Sequence, residues 1–321
     1  MHLALLVPGL LDIDAVALAS CAPLARVAAL ADARPVDDAE AELLRVLDVH
    51  GATAPLAALG AGIDVGGDWI ARADPVTTSV SHEDVRIVGR VDDLDAAEAA
   101  MLVALLGDHF REDALGFAAP RSDAVFVRSA RPHDIATVPL LAAIDRPLRD
   151  KLPSGADARR WRRWFTEVQM LLHEHALAAR ATRPVNAVWF ASGGTLAPAP
   201  ARRVATFAGP GRAGDVVRGL ARVQGDPTAT LDAIDAISRH APGDVAVVAD
   251  PVHDAAGVAA VADAILAPLL AALDAGAAQR LVLIAEGRAG AARWDVARPG
   301  LFDRLFPRKG RFAPPARDDQ P

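Results

Sequence analysis

The sequence predicts an α/β protein in which a mainly parallel sheet is assembled from both ends of the chain, with an α+β subdomain inserted between them. Continuous apolar runs at His2–Val7, Asp244–Ala249 and Gln279–Ile284 mark strands covered on both faces. The last two flank the long apolar stretch Ala256–Leu273, and a strand, helix, strand order of this kind closes as a right-handed parallel crossover. Residues 80–200 instead break into short strands, short helices and turns. The expected division is a discontinuous core of residues 1–79 and 201–300, a middle subdomain of residues 80–200 and a basic, flexible tail of residues 301–321.

Taken in order, His2–Val7 runs into Pro8-Gly9 and an alanine-rich helical stretch. Asp37 or Asp38 is placed to cap a helix over Asp37–Leu47, with Leu43, Leu44 and Leu47 as its apolar stripe. Gly66-Gly67 turns the chain into a short strand that ends at Asp74-Pro75. Val85–Val91 reads as a strand, Asp95–His109 as an amphipathic helix, Phe117–Val127 and His133–Thr137 as interrupted strands, and Pro139–Ile144 as a short helical piece. Leu152–Gly155 breaks that piece, and Asp157 or the nearby Ser154 opens a long helix over Ala158–Ala181, followed by a strand at Val185–Phe190. Beyond it, the glycine-rich loop Phe207–Arg212 precedes helices at Ala213–Ala221 and Thr228–Ser238, and the chain turns irregular after Trp294.

The 321 residues carry a net charge of −7 and are 52% hydrophobic, enough apolar material for one large or two ordinary domains. The acidic balance argues against a dedicated nucleic-acid protein, because a polyanion is held by clustered Lys and Arg. A single cysteine, Cys21, precludes an internal disulfide and suits a reducing compartment. Met1–Leu11 has no basic leader and is soon interrupted by charge, and Ala256–Ala277 contains Asp263 and Asp274, so neither reads as a membrane span. The expectation is a cytoplasmic protein without a membrane role, with a homo-oligomer left open.

Trp161–Thr195 joins a strong helix signal to a strong strand signal and a polar glycine turn. Helical spacing sets Trp161, Phe165, Val168, Leu172 and His175 on one face, and Arg162, Thr166, Gln169 and His173 on the other. His175 is then an acid, base or ligand at the inner face, or a hydrogen-bonded structural histidine, the latter being favoured; no spacing here matches a zinc-binding HExxH. Asn186, Ser192, Gly193, Gly194 and Thr195 are the candidates for holding an anion, because ligands of open α/β sheets gather beyond strand ends and glycine amides can approach them. The competing reading is a tight turn needing positive φ. Ser192 lacks a GxSxG setting, and Gly209–Gly214 lacks the lysine of a phosphate-binding loop.

Asp250, His253 and Asp254 directly follow a predicted strand and are the sharpest candidates for metal or phosphoester chemistry, since hard divalent ions draw oxygen ligands from such loops. The rival is an Asp-Pro turn with Asp254 capping the next helix. Asp12 and Asp14 join this cluster if the ends of the chain pack together. The basic run Arg304, Arg308, Lys309 and Arg311 supports a nucleic-acid-associated regulator, against the simpler reading of a solvated tail.

Glu167–Gly194, with His173-Glu174-His175, Pro184-Val185-Asn186 and WFASGG, resembles the proteobacterial regulatory proteins of the pathogenicity-factor E type, as do the opening HLALLVPGLL and Ala73-Asp74-Pro75-Val76. More distantly, EHALAARATRPVNAVWFASGG resembles the archaeal-type cofactor-independent phosphoglycerate mutases of the alkaline-phosphatase-like superfamily. That likeness implies a doubly wound, mainly parallel core of alkaline-phosphatase-like type, an inserted domain, two divalent metals and a serine nucleophile. It also implies that Asp244–Asp254 stands for a strand ending in an Asp…His metal motif, and Gln279–Gly287 for one leading to Asp-His-Ser/Thr.

The chain departs from the pattern it resembles. Glu286-Gly287 stands where Asp-His is expected, no serine follows VPGLLDID in a short loop, Ala178 replaces an asparagine, and Thr77 stands where the regulatory family has histidine. With these departures the resemblance implies a catalytically degenerate, phosphoglycerate-mutase-like regulatory protein that binds a small anionic ligand or a protein partner, uses no cofactor and leans away from enzyme activity. The alternative is a metal-dependent phosphomutase or phosphoesterase, in which Asp250, His253 and Asp254 hold divalent Mn or Mg and Asp14 or Glu286 completes the shell.

Overall fold

The computed structural model describes residues 1–81, 84–228, 243–288, 290–300 and 310–313. The chain forms two compact units, residues 1–50 with 198–321, and residues 51–197.

In the first unit β1 (His2–Val7) pairs in parallel with both β9 (Asp244–Val248) and β10 (Arg280–Gly287), and β8 (Val204–Ala208) extends the parallel ladder beyond β9. On the other side β11 (Gly290–Ala297) turns back antiparallel on β10, and β2 (Ala33–Val36) closes the six-stranded order β2-β11-β10-β1-β9-β8. Leu3–Leu6, Val245–Val248 and Leu281–Ile284 are all 0% exposed, which is why these strands run apolar without alternation. Leu3, Leu5, Leu281 and Leu283 pack with α2 (Ala22–Leu30) and with the long helix formed by α9 (Ala255–Val261), a π turn at Ala262–Leu266 and α10 (Ala267–Ala275). α3 (Ala39–Val46) lies against β1 and β10. At the β8 edge, the Gln224 side chain at the end of α8 (Arg212–Gln224) accepts the Val204 N–H at 2.8 Å and donates to its carbonyl at 3.1 Å. A strand edge closed in this way offers less open backbone to other chains.

The second unit is built on β3 (Trp69–Val80). Trp69–Arg72 pairs with β6 (Ala124–Ser129), Val76–Val80 with β4 (Val85–Arg90), and Ile70–Val76 with β7 (Ala187–Gly194), all antiparallel, while β5 (Leu115–Arg121) forms a hairpin with β6. α4 (Thr53–Gly60) packs on β3 and β7, and the short α6 (Leu140–Ala143) on β4. α5 (Ala96–His109) starts in a capping box, where the Asp95 carboxylate accepts the Glu98 N–H at 2.8 Å and Glu98 accepts the Asp95 N–H at 3.0 Å. α5 and α7 (Ala158–His173) bury Leu102, Leu106, Phe110, Trp161, Trp164 and Val168 in one core with Trp69, Ala71, Val188 and Phe190. The unit begins and ends in one place: a Cβ built at Gly51, which has φ +125°, would lie 2.7 Å from Ala197 Cβ.

The whole is a mixed α/β fold with parallel and antiparallel sheets, and it corrects several expectations. The boundary expected at residue 79 falls at residue 50, because β3 is hydrogen-bonded to β6 and β7 rather than to the parallel sheet. Asp74-Pro75 does not end that strand: Pro75 faces Val188 in the ladder, and its carbonyl accepts the Val91 N–H at 2.9 Å. Ala136 makes one isolated bridge to Ser154, so His133–Thr137 is no strand. α7 stops at His173, eight residues before the expected Ala181. β11 occupies part of a region read as irregular. Residues 229–238 of an expected helix, and Arg304, Arg308 and Lys309 of the expected basic tail, lie outside the described residues.

Candidate functional site

β1, β9 and β10 run in the same direction, so their carboxyl ends deliver Pro8–Asp14, Asp250–Asp254 and Gly287–Arg288 to one edge of the sheet. The loops touch. The Val252 N–H donates to the Pro8 carbonyl at 3.0 Å, and the Arg288 N–H donates to the Asp12 carboxylate at 2.8 Å. Gly9, at φ +80°, leaves room for the Val252 carbonyl that a Cβ there would overlap. Beside them the Gly209 N–H donates to the Val248 carbonyl at 2.8 Å, and the Asp250 carboxylate lies against the Gly209 Cα.

The loops meet, but their side chains do not assemble an ion site. Asp14 caps α1 (Ala15–Ser20), accepting the N–H groups of Val16 at 2.8 Å and Ala17 at 3.4 Å. Asp254 caps α9 by accepting the Gly257 N–H at 2.8 Å. Glu286 is half-buried within β10, opposite Ala291, and Asp250 and His253 are exposed. Among the described residues, no three His, Cys, Asp or Glu side chains gather as a metal-holding group. A two-metal phosphoryl-transfer centre takes several such ligands around its ions, so the donors present do not fit one.

Sequence reasoning missed a lock on the neighbouring glycine loop. Arg218 donates to the carbonyls of Gly209 at 2.8 Å and Gly211 at 3.2 Å, and to the carboxylate of Asp215 at 2.7 Å, with Asp215 only 1% exposed. The i,i+3 spacing of Asp215 and Arg218 was the available signal; that Arg218 folds back on the loop is a tertiary fact.

The second candidate, at the end of β7, is a strand where a turn was expected. Gly193 and Gly194 lie within β7, because a Cβ at Gly193 would overlap the Trp69 ring and one at Gly194 would lie 2.6 Å from Ala52 Cβ. Ser192 sits at φ +58°, where the register between β3 and β7 slips, and its N–H donates to Thr137 Oγ1 at 3.2 Å. Asn186 is bound to Thr78 through its amide, and Thr195 follows the strand as an exposed residue. Asn186 and Ser192 thus make contacts within the unit. His175 lies beyond α7, and its Nδ1 accepts the Leu177 N–H at 3.3 Å at the start of a short 3₁₀ turn.

No family model matches the chain, and no curated protein matches it. Among solved structures, the chain is similar to the PH0037 protein from Pyrococcus horikoshii at 13% identity, over 96% of this chain and 90% of that one, with a TM-score of 0.46. It is also similar to the cofactor-independent phosphoglycerate mutase from Thermoplasma acidophilum DSM 1728 at 15% identity, over 96% of this chain and 92% of that one, with a TM-score of 0.42. Neither likeness assigns a role to a residue of this chain, and neither extends to the pathogenicity-factor E type proteins that the sequence resembles.

Proposed function

We propose that the chain is a non-catalytic, phosphoglycerate-mutase-like protein of regulatory type, which binds a small anionic ligand or a protein partner and transfers no phosphoryl group. The supporting observation is what the carboxylates at the sheet edge already do. Asp14 and Asp254 satisfy helix amides, and Asp12 holds the turn after β10. A capping carboxylate that swung toward an ion would leave amide groups at the helix start without their partner. The reading places the protein in the cytoplasm, where its single, half-buried Cys21 stays reduced.

The test is the metal content of protein purified without chelator, together with phosphomutase and phosphatase assays in Mn²⁺ or Mg²⁺. No stoichiometric Mn, Mg or Zn and no turnover are expected. Stoichiometric metal, with turnover that falls in Asp250→Ala, would return the function to a metal-dependent phosphomutase or phosphoesterase.

A further inference from the structure

One face of the second unit is charged against the sign of the whole chain. The first two turns of α7 carry Arg159, Arg160, Arg162 and Arg163, with no acidic residue in the first turn, in a chain of net charge −7. Trp161, Trp164, Phe165, Val168 and Leu172 face the core, so helical spacing turns Arg159, Arg162, Arg163, Thr166 and Met170 outward together. Arg162 Nε donates to the Pro153 carbonyl at 2.9 Å. Arg163 meets Glu167 at 3.0 Å and Asp113 at 3.8 Å. Arg160 lies over the Trp164 ring, and Arg159 makes no ion pair among the described residues.

This arrangement works against the isolated helix. Positive charge at the amino end opposes the macrodipole, and Arg159 with Arg162 and with Arg163 are like-charged neighbours at destabilising spacings. An anionic partner relieves both effects. The same strip leads to Met170, which is 72% exposed. The ion pairs of Arg163 with Asp113 and of Glu167 with His109 at 3.6 Å show α7 and the end of α5 running antiparallel side by side.

We propose that this outer face of α7 docks an acidic, amphipathic segment of another protein, its carboxylates on Arg159, Arg162 and Arg163 and its apolar side chains on Met170. A short peptide fits better than a nucleic acid. The basic strip from Arg159 to Arg163 spans little more than one helical turn, roughly 6 Å, and is bordered by Asp113 and Glu167, over which a longer phosphate backbone would have to run. Methionine packs apolar side chains of varied shape, and a phosphate backbone has none to offer. The proposal concerns the second unit alone and is independent of the reading of the sheet edge above.

The probe is a short fluorescein-labelled peptide with glutamate and leucine pairs at helical spacing, titrated with the full chain and read by fluorescence anisotropy. The wild type is expected to bind it more tightly than a leucine-free glutamate peptide, and less tightly as salt rises. Arg159→Glu combined with Arg163→Glu is expected to weaken binding at least about tenfold, about 1.4 kcal/mol, and Met170→Gln to weaken it by a smaller factor. These positions are exposed, and a cooperative thermal transition with an unchanged circular dichroism spectrum establishes that the variants fold. The proposal is overturned if the amphipathic peptide does not bind, if binding survives the double charge reversal, or if duplex DNA or an anionic lipid vesicle binds the same arginines more tightly than the peptide.

Discussion

Asn186 extends the pairing of β7 with β3 by using its side chain in place of backbone: its Oδ1 accepts the N–H of Thr78 at 2.7 Å and its hydroxyl at 3.0 Å, while its Nδ2 donates to the Thr78 carbonyl at 2.9 Å. Asn186→Ala strands both backbone groups of a residue that is 9% exposed. It is expected to cost about 1–3 kcal/mol of stability, read by urea unfolding with tryptophan fluorescence. A variant as stable as the parent would show that the clamp does not form.

Ser192 and Gly193 are adjacent, yet substitutions at the two are expected to have opposite signs. Gly193→Ala drives a methyl into the Trp69 ring, and overpacking of this kind costs about 1–3 kcal/mol. Ser192→Gly relaxes a left-handed residue at φ +58° and is expected to stabilise by up to about 1 kcal/mol. If the glycines served only to admit a ligand, Gly193→Ala would leave the unfolding midpoint where it was.

The elements legible in the sequence are those whose signal is local. Leu3–Leu6 and Leu281–Ile284 announce buried strands by their own composition, and Asp95 with Glu98 announces the start of α5. The misread places depend on partners far away in the chain. Pro75 is a turn former locally, but an opposing Val188 keeps it in a strand, and Gly193 looks like a loop residue until Trp69 is placed against it. At the sheet edge, the meeting of the strand ends follows from the crossover, which the apolar runs reveal. Which donors each carboxylate accepts from depends on loop geometry that no periodicity encodes, so Asp254 reads as either a ligand or a cap and Asp14 reads as a ligand although it caps α1.

His133 makes the second unit sensitive to pH. Its side chain is 2% exposed, ringed by Trp69, Trp161 and Trp164 at 4.9, 5.2 and 5.9 Å between centroids, and neither ring nitrogen has a hydrogen-bond partner among the described residues. Burial, helped by Arg131 and Arg160, holds its pKa below the ordinary value, and Asp157, 3.9 Å away, opposes this only in part. The unfolded chain therefore takes up the proton first. Stability is complete above the ordinary histidine range and is lost as pH falls through that range toward the depressed value. The urea midpoint is expected to drop between about pH 8 and about pH 5, and to drop less in His133→Phe. An identical pH profile in the two proteins would rule out this histidine as the cause.

Asp254→Ala and Asp14→Ala test whether these carboxylates act as caps. Each is expected to destabilise by about 1 kcal/mol, with the loss unchanged by added Mn²⁺ or by chelator. A parent protein whose melting temperature rises with Mn²⁺, and an Asp254→Ala variant whose does not, would instead make Asp254 an ion ligand.

The close approach of Gly51 to Ala197 makes residues 51–197 a portable module. A segment whose entry and exit share one spot can be cut out by a single pair of breaks and expressed by itself, and a short linker can rejoin the flanking pieces without stretching either. Evolution can exchange such a cassette as easily as a laboratory can, so the sheet edge of the first unit and the basic helix of the second are free to diverge at separate rates.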